Sequence, residues 1–217
     1  MDKLRLRFEK TGRAIYISHL DLMSTMQRAF ARAELELKYS EGFNPHPLIS
    51  ILLPLSVGTA SLCELMDFRL REEADLATLP VRLTAALPEG IRVLESYPAE
   101  RKSVQLKWLD VSGVLEYDRG APEPEALAAF FRQPELVIEK KTKRGLGQSD
   151  IRPAIERIAF EADGADIRVC ARISAQEPTL NPELLCAALR QLRPELAPDF
   201  AEFTRLETYD AGMQVFR

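Results

Sequence analysis

The chain opens on an alternation of apolar and charged residues that predicts a strand. Residues 4–9 read LRLRFE, which is the period of a strand with one buried face. Ser18 then stands three residues before Asp21, a spacing at which a hydroxyl and a carboxylate satisfy the free backbone N–H groups of a helix start. The apolar residues that follow recur at helical spacing, so we predict an amphipathic helix over residues 18–34.

The remainder of the first half alternates strand and helix signals. Residues 42–47, GFNPHP, interrupt the pattern because a proline lacks the N–H that a strand ladder needs. A polar break over residues 98–103, PAERKS, is a candidate linker. The order before this break is βαββαβ, the split βαβ or ferredoxin-like pattern, if the strands on either side of GFNPHP are counted as one interrupted strand. The remaining elements predicted in this half are strands over 35–39, 49–55 and 63–70, a helix over 76–87 and a strand over 91–97.

The same order of elements returns after the break. Asn181-Pro182 combines a preferred N-cap residue with a proline near the start of a helix, and Asp163-Gly164 is a turn signal. We therefore predict an α+β protein of two tandem ferredoxin-like (βαββαβ) domains, residues 1–98 and 104–217. The predicted elements of the second are a strand within 104–117, a helix over 124–132, strands over 136–142, 158–162 and 167–173, a helix over 181–192 and a strand over 203–209.

Composition and cysteine spacing narrow the class of protein. The 217 residues contain 46% apolar and 29% charged residues, which is the balance of a globular protein. Because neither a membrane-length apolar run nor a signal peptide is present, we expect a cytoplasmic protein without membrane contact. Cys63, Cys170 and Cys186 form no CxxC pair, so we expect three buried thiols, no metal site and no cofactor of its own.

The first candidate site contains both histidines of the chain. A helix N-terminus favours anions, so a histidine there is suited to donating to phosphate or to acid–base chemistry. The alternative is structural: Ser18 and the following carboxylate cap the helix, while the histidines hydrogen-bond across the loop. The candidate residues are His19, Asp21, Asn44 and His46.

Basic residues supply two further candidates. Residues 140–144, KKTKR, lie at a strand end beside two glycines and predict a mobile basic loop that suits the phosphates of RNA or of a nucleotide. Arginines on the first strand are suited to stacking and to phosphate contact. In both cases a solvated surface is the alternative, and the net charge of −4 restricts nucleic-acid binding to a local patch. The candidate phosphate-binding residues are Arg5, Arg7, Lys140, Lys141, Lys143, Arg144 and Arg152.

Three segments resemble a bacterial protein family. They are YISHLDLM (residues 16–23), SEGFNPHP (40–47) and LPLSVG (53–58); the later KKTKRG, DIRP and NPELL segments are similar to its second half. The family is called the radical-SAM-linked proteins, and its function is unknown. Its members are encoded beside, or fused to, a cobalamin-binding radical S-adenosylmethionine (SAM) enzyme. The residues that the resemblance singles out are His19, Asp21, Gly42, Asn44, Pro45, His46, Lys140, Lys141, Lys143, Asp150 and Arg152.

The resemblance implies partnership with a radical SAM enzyme. Because this chain has no iron–sulfur cysteine motif, the radical cofactor would reside on the partner. The function expected first is therefore that of an accessory binding protein that presents a substrate, RNA, to such an enzyme. A protein-interaction scaffold without nucleic acid is the second expectation. An RNA- or nucleotide-processing enzyme using His19 or His46 is the third, because no recognised catalytic motif is present.

Overall fold

The structure, a computed structural model, describes residues 3–142 and 145–217, and the side chains of these except Lys141 and Thr142. The predicted α+β class is confirmed. The chain divides into two compact units: residues 3–105 together with Val215–Arg217, and Leu106–Gln214. The boundary predicted from the sequence lies at residues 98–104, with all later residues in the second domain. The two differ at the end of the chain because Phe216 packs against Arg5 and Arg101 of the first unit.

The first unit is an antiparallel sheet with helices packed on one face. Within this unit the strands lie in the order β4–β1–β3–β2, and neighbouring strands are antiparallel. The strands are β1 (Leu4–Lys10), β2 (Ile49–Ile51), β3 (Ala60–Phe68) and β4 (Ile91–Pro98), and the helices are α1 (His19–Arg32) and α2 (Leu79–Ala86).

The core of this unit lies between the sheet and its helices. Leu6 and Phe8 of β1 are fully buried, as their alternation with charged residues predicts. Phe30 of α1 packs on Phe68 of β3 with ring centroids 5.1 Å apart. Burying such a side chain stabilises the fold by about 1.5–3 kcal/mol. Contacts of this kind between the apolar side chains of α1 and the sheet hold the helix in place.

Two predicted strands of the first unit are wrong in whole or in part. Residues 35–39 form only the isolated bridges Leu37↔Leu70 and Tyr39↔Pro47, because a proline cannot continue a ladder. The predicted strand over 49–55 ends at Ile51, and Pro54 follows within the range where we expected strand.

The second unit contains a sheet of the same strand order and a separate hairpin. The sheet order within this unit is β10–β5–β9–β8, with antiparallel neighbours, and β6 pairs only with β7 among the described residues. The strands are β5 (Leu106–Glu116), β6 (Val137–Thr142), β7 (Gly145–Asp150), β8 (Ile155–Asp163), β9 (Asp166–Ser174) and β10 (Phe200–Asp210), and the helices are α3 (Pro124–Phe131) and α4 (Glu183–Leu192).

The β6–β7 hairpin replaces part of the mobile loop that we predicted. Its base is fixed to α4, since Gln191 accepts a hydrogen bond from the backbone N–H of Glu139 at 2.8 Å and donates one to the carbonyl of Glu139 at 2.9 Å. Ile138 of β6 is buried. The basic run therefore continues from a strand anchored in the second unit.

The cysteines follow the alternation of their strands and helix. Cys63 and Cys186 are buried, as predicted, but Cys170 is exposed. The prediction is wrong for Cys170 because successive residues of β9 point to opposite faces of the sheet. Cys170 thus shares the exposed side of β9 with Arg168.

Candidate functional site

The segments YISHLDLM and LPLSVG meet at the N-terminal end of α1. A short 3-10 helix, Gly12–Tyr16, precedes α1. The carbonyl of Ile15 accepts a hydrogen bond from Nζ of Lys10 at 3.0 Å and another from the backbone N–H of Gly58 at 2.9 Å. These bonds hold the end of β1, the start of α1 and the loop after β2 together. Two of the three segments that carry the family resemblance therefore share one end of the first unit.

This end of the first unit exposes large apolar side chains. Tyr16 is 67%, Leu20 75% and Val57 58% exposed; we call these three residues the apolar end. His19 lies beside them and is also exposed. The carboxylate of Asp21 accepts a hydrogen bond from the Ser18 hydroxyl at 2.7 Å, and Ser18 Oγ accepts one from the backbone N–H of Asp21 at 3.2 Å. The structural reading of Asp21 as part of a helix cap is thus what the contacts support.

The loop that contains Asn44 and His46 is closed at its base by Ser40. The Ser40 N–H donates to the carbonyl of His46 at 2.8 Å, and the His46 N–H donates to Ser40 Oγ at 3.1 Å. Nδ1 of His46 lies 3.0 Å from the same oxygen. Asn44 and Phe43 are exposed near the tip. His46 therefore closes a loop that presents Phe43 to solvent.

His46 also lines a groove of about 550 Å³ beside β2. The groove lies where β1 begins, because Phe68, one of its lining residues, is the register partner of Leu4. Its charged and polar lining consists of Lys3, His46, Ser50, Asp67, Arg69 and Ser103. This mixture of charges suits a polar ligand, but the acidic group in it is already bound by two cations, as described below.

The two histidines lie at opposite ends of β1. His46 borders the groove at the Leu4 end, whereas the start of α1, with His19, is tied to Lys10. A strand rises about 3.4 Å per residue, so these ends are roughly 20 Å apart. The structure therefore does not bring His19 and His46 into one acid–base site.

Arg5 is enclosed, although we predicted it on an exposed strand face. Its Nε donates to Asp67 Oδ1 at 2.6 Å, and its Nη2 donates to Asp67 Oδ2 at 3.3 Å and to the carbonyl of Arg101 at 2.9 Å. The residue is 0% exposed. The cause is register: Arg5 and Asp67 are partners across β1 and β3. Asp67 accepts a further bond from Lys3 at 2.8 Å. A phosphate group can therefore contact Arg5 only if the residues that cover its guanidinium move.

Arg7 is also drawn into the structure. Its Nη1 donates to Oε1 of Glu95 at 3.3 Å, and the two residues are partners across β1 and β4. The Arg7 side chain is 16% exposed. Arg7 therefore pairs with a carboxylate, that of Glu95, which is itself about half exposed.

The segment Val215–Arg217 covers the guanidinium of Arg5. The ring of Phe216 lies 5.1 Å from Cζ of Arg5 and 4.7 Å from Cζ of Arg101, distances typical of cation–π contacts. Arg101 donates to the carbonyl of Val215 at 2.9 Å. Sequence reasoning missed Phe216, because one apolar residue in a short irregular segment produces no periodic signal.

The basic run is only partly described. Lys143 and Arg144 lie outside the described residues. Lys140 and Lys141 belong to β6, and Lys140 is half-buried. Arg152 follows β7; its Nη1 donates to the carbonyl of Ile155 at 2.7 Å, and its backbone N–H donates to Asp150 Oδ1 at 2.9 Å. A ligand that binds the guanidinium of Arg152 through Nη1 would therefore have to replace its hydrogen bond to the Ile155 carbonyl.

The sheet of the second unit carries an ion cluster centred on Asp110. Arg172 donates to both carboxylate oxygens of Asp110, at 2.7 and 2.8 Å, and Arg157 donates at 3.1 Å. Burial favours the neutral acid, but the hydrogen bonds and charges of the two arginines outweigh it, so the pKa of Asp110 is lowered from 3.8. Arg157 and Arg172 thus share the carboxylate of Asp110.

The cluster predicts an acid-dependent part of the stability. Because the pKa of Asp110 is lower in the folded than in the unfolded chain, its stabilising contribution is complete above about pH 4 and is lost as the pH falls through the folded pKa. We expect Asp110→Asn to be less stable than the wild type at pH 7 and the difference to shrink at pH 3. Urea unfolding at several pH values measures this. Glu161→Gln, on β8 of the same sheet, is the control, and a difference for Asp110→Asn that stays constant with pH would contradict the prediction.

The described residues define an α+β protein whose first unit exposes large apolar side chains at one end. In residues 3–142 and 145–217, no group of His, Cys, Asp and Glu is placed to hold a metal ion. The helices of the same residues are too short or too polar to cross a membrane. The profile of a family described as "uncharacterized protein conserved in bacteria", DUF2344, matches residues 3–182, and the chain belongs to this family.

Comparison with other known proteins adds information on the fold only. No curated protein matches the chain. A chain in the crystal structure of a Cbf5–Nop10–Gar1 complex is similar over 94% of this chain, with a TM-score of 0.51 and 12% identity; our chain spans 48% of that chain. A structure of an unknown protein from Galdieria sulphuraria aligns over 94% of this chain and 98% of its own, with 12% identity and a TM-score of 0.27. The first likeness concerns the fold alone.

Proposed function

We propose that the protein is an accessory binding protein that docks on a cobalamin-dependent radical SAM enzyme through the apolar end, Tyr16, Leu20 and Val57. The observation that carries the proposal is the exposure of these side chains within two of the segments that resemble the radical-SAM-linked proteins. Contiguous exposed apolar groups mark interaction surfaces, and large side chains of this kind dominate the energetics of protein interfaces.

The contacts of the histidines favour docking over catalysis. Acid–base catalysis needs groups within hydrogen-bond reach of the same reacting atoms, and His19 and His46 lie at opposite ends of β1. The Nδ1 atom of His46 is near Ser40 Oγ, which closes the loop. These contacts weigh against the alternative of an RNA- or nucleotide-processing enzyme that uses both residues together.

The fold belongs to the same proposal. We propose that each unit is a ferredoxin-like domain, with the β6–β7 hairpin as an insertion in the second. The support is the matching strand orders, β4–β1–β3–β2 and β10–β5–β9–β8, each with antiparallel neighbours. With the hairpin set aside, both units follow the chain order βαββαβ.

RNA is the substrate that we propose the protein presents. The support is the basic run that continues from β6, since clustered lysine and arginine side chains bind the phosphates of RNA. The overall charge of −4 makes such a local patch the place where binding would occur. The competing function is that of a scaffold that binds no nucleic acid. The two functions are distinguished by whether RNA is recovered together with the partner enzyme.

Substitution of the apolar end tests the docking. We expect Leu20→Asp to reduce recovery of the radical SAM enzyme at least about tenfold, because burial of one leucine is worth about 1.5–3 kcal/mol. The change suits the N-terminus of α1, where a carboxylate is favourable. The measurement is a pulldown of the tagged full chain from its host at low salt, with proteins and nucleic acid in the eluate identified.

Val81→Asp is the matched control for this experiment, because Val81 is 75% exposed on α2 and lies outside the three segments. Thermal unfolding of each variant verifies that it folds. Equal recovery with Leu20→Asp and Val81→Asp would contradict docking through the apolar end. RNA in the wild-type eluate that Lys140→Glu with Lys141→Glu removes supports presentation of RNA; an eluate with enzyme and no RNA supports the scaffold.

A further inference from the structure

Cationic side chains gather around Arg5 on the sheet of the first unit. Lys3 and Arg5 share the carboxylate of Asp67, and Arg7 and Arg217 lie near Glu95 at 3.3 and 3.8 Å. We call these side chains, together with Arg101, the cationic cluster; it consists of Lys3, Arg5, Arg7, Arg101 and Arg217. Five cationic side chains beside two carboxylates, those of Asp67 and Glu95, favour an anion at this part of the sheet.

Nη1 of Arg5 and Oη of Tyr97, a residue next to the cationic cluster, are buried and have no hydrogen-bond partner among the described residues. Arg5 and Tyr97 are register partners across β1 and β4, so these atoms belong to side chains next to each other. Buried polar groups almost always have a partner, and an exception calls for an explanation such as a bound water or ion.

The hydroxyl of Tyr97 is kept in its protonated form. Burial, the largest effect, raises the pKa of Tyr97 to about 12, although the nearby charges of Arg5, Arg217 and Arg7 oppose it. At neutral pH the hydroxyl therefore donates a hydrogen bond, as the guanidinium of Arg5 does. Two adjacent donors match the oxygen atoms of a tetrahedral oxyanion.

Phe216 covers these donors without satisfying them. Its ring lies 5.1 Å from Cζ of Arg5, and a phenyl ring offers only its π face to a cation. The segment Val215–Arg217 is short; its Val215 carbonyl accepts a hydrogen bond from Arg101, and Arg217 lies 3.8 Å from Glu95. Such a cover can be displaced by a ligand that pairs with the same guanidinium groups more strongly.

We propose that the cationic cluster is a phosphate site, in which Nη1 of Arg5 and Oη of Tyr97 bind the phosphate group and Phe216 moves away to admit it. The phosphate belongs either to a small phosphate compound or to an RNA backbone, and the chemistry of recognition is the same. This site deepens the RNA part of the proposed function and is independent of docking through the apolar end.

The first test is stabilisation by inorganic phosphate. Thermal unfolding of the full chain at pH 7 is measured with phosphate and with sodium chloride at equal ionic strength. We expect the melting temperature to rise with phosphate, since a ligand that binds only the folded state stabilises it. Tyr97→Phe, which removes only the hydroxyl, is expected to lose most of this shift. Arg92→Gln is the control, because Arg92 lies on the same strand but forms an exposed pair with Glu9, and it is expected to keep the shift.

The second test distinguishes a cover from a structural contact. Phe216→Ala is expected to lower the melting temperature without phosphate, because a buried ring is lost. The same variant is expected to bind phosphate several-fold more tightly in calorimetry, because the closed form no longer competes. Opposite signs of the two effects are expected only if Phe216 occupies the site.

A uniform single-stranded RNA oligomer identifies the source of the phosphate. Competition between the oligomer and inorganic phosphate, with tighter RNA binding by Phe216→Ala, assigns the site to an RNA backbone. Phosphate binding without such competition assigns it to a small phosphate compound. The proposal is overturned if phosphate gives no shift beyond chloride in the wild type and in Phe216→Ala, or if Tyr97→Phe keeps the full shift. Failure of the pulldown leaves this result unaffected.

Discussion

Replacing Asp67 by alanine is expected to lower the free energy of unfolding by about 3–5 kcal/mol, because it removes one partner of a buried ion pair. Arg5 is 0% exposed, and its Nε and Nη2 donate to this carboxylate at 2.6 and 3.3 Å. Without Asp67 the guanidinium stays buried without a counter-ion. Urea unfolding at pH 7, followed by circular dichroism, measures the loss.

Two further variants separate this effect from the loss of an ordinary ion pair. Glu36 pairs with Arg71, and both side chains are about two-thirds exposed, so Glu36→Ala is expected to cost less than about 1 kcal/mol. The double variant Arg5→Met with Asp67→Leu is expected to recover much of the stability, because apolar groups of similar size replace both charges. A loss for Asp67→Ala no larger than that for Glu36→Ala would contradict the burial of this pair.

Alanine at Gly113 is expected to destabilise the second unit by about 1–3 kcal/mol through overpacking. Gly113 of β5 lies directly opposite Phe203 of β10. A Cβ atom there would stand 2.6 Å from Cδ1 of Phe203 and 2.7 Å from the carbonyl oxygen of Glu202. The ring sits in the buried core and the carbonyl belongs to a strand, so neither is free to move aside. Denaturant unfolding of Gly113→Ala against the wild type measures this cost.

Gly212→Ala is the matched control for Gly113. The nearest atom to a Cβ at Gly212 is Oδ1 of Asp210 at 3.4 Å, which is close to ordinary contact and belongs to a side chain. We expect little change in the midpoint of unfolding for this variant. If both alanine variants unfold at the same denaturant concentration, the ring of Phe203 does not fill the space beside Gly113.

Local signals in the sequence predicted the regular elements well. α1 follows from the spacing of Ser18 and Asp21 and from the apolar period, and the structure shows the expected hydrogen bond from the backbone of Asp21 to Ser18 Oγ. The strands of the main sheets follow from alternation, because one face of each meets a core. The strand β7, GLGQSD, could not be predicted: its glycines have low strand propensity, and only its pairing with β6 makes it a strand.

The contacts of the candidate site depended on register and could not be predicted locally. Arg5 reads as an exposed residue because it alternates with leucines, yet it meets Asp67, 62 positions away. The same holds for Cys170, whose apolar neighbours suggested burial while its position in β9 exposes it. A strand has two faces, and the sequence of the strand alone does not determine which of them is buried. That depends on the residues that pack on each face, which come from distant parts of the chain.

The position of Phe216 also affects how the chain folds during synthesis. The first unit needs Val215–Arg217 to cover Arg5, but the whole second unit lies between these residues and Gln105. At a translation rate of about 5–20 residues per second, Phe216 is added roughly 5–20 s after the first unit has otherwise been synthesised. The second unit is continuous in sequence and can form without waiting. A newly made first unit therefore carries its guanidinium groups without the aromatic cover until Phe216 has been added and has emerged from the ribosome.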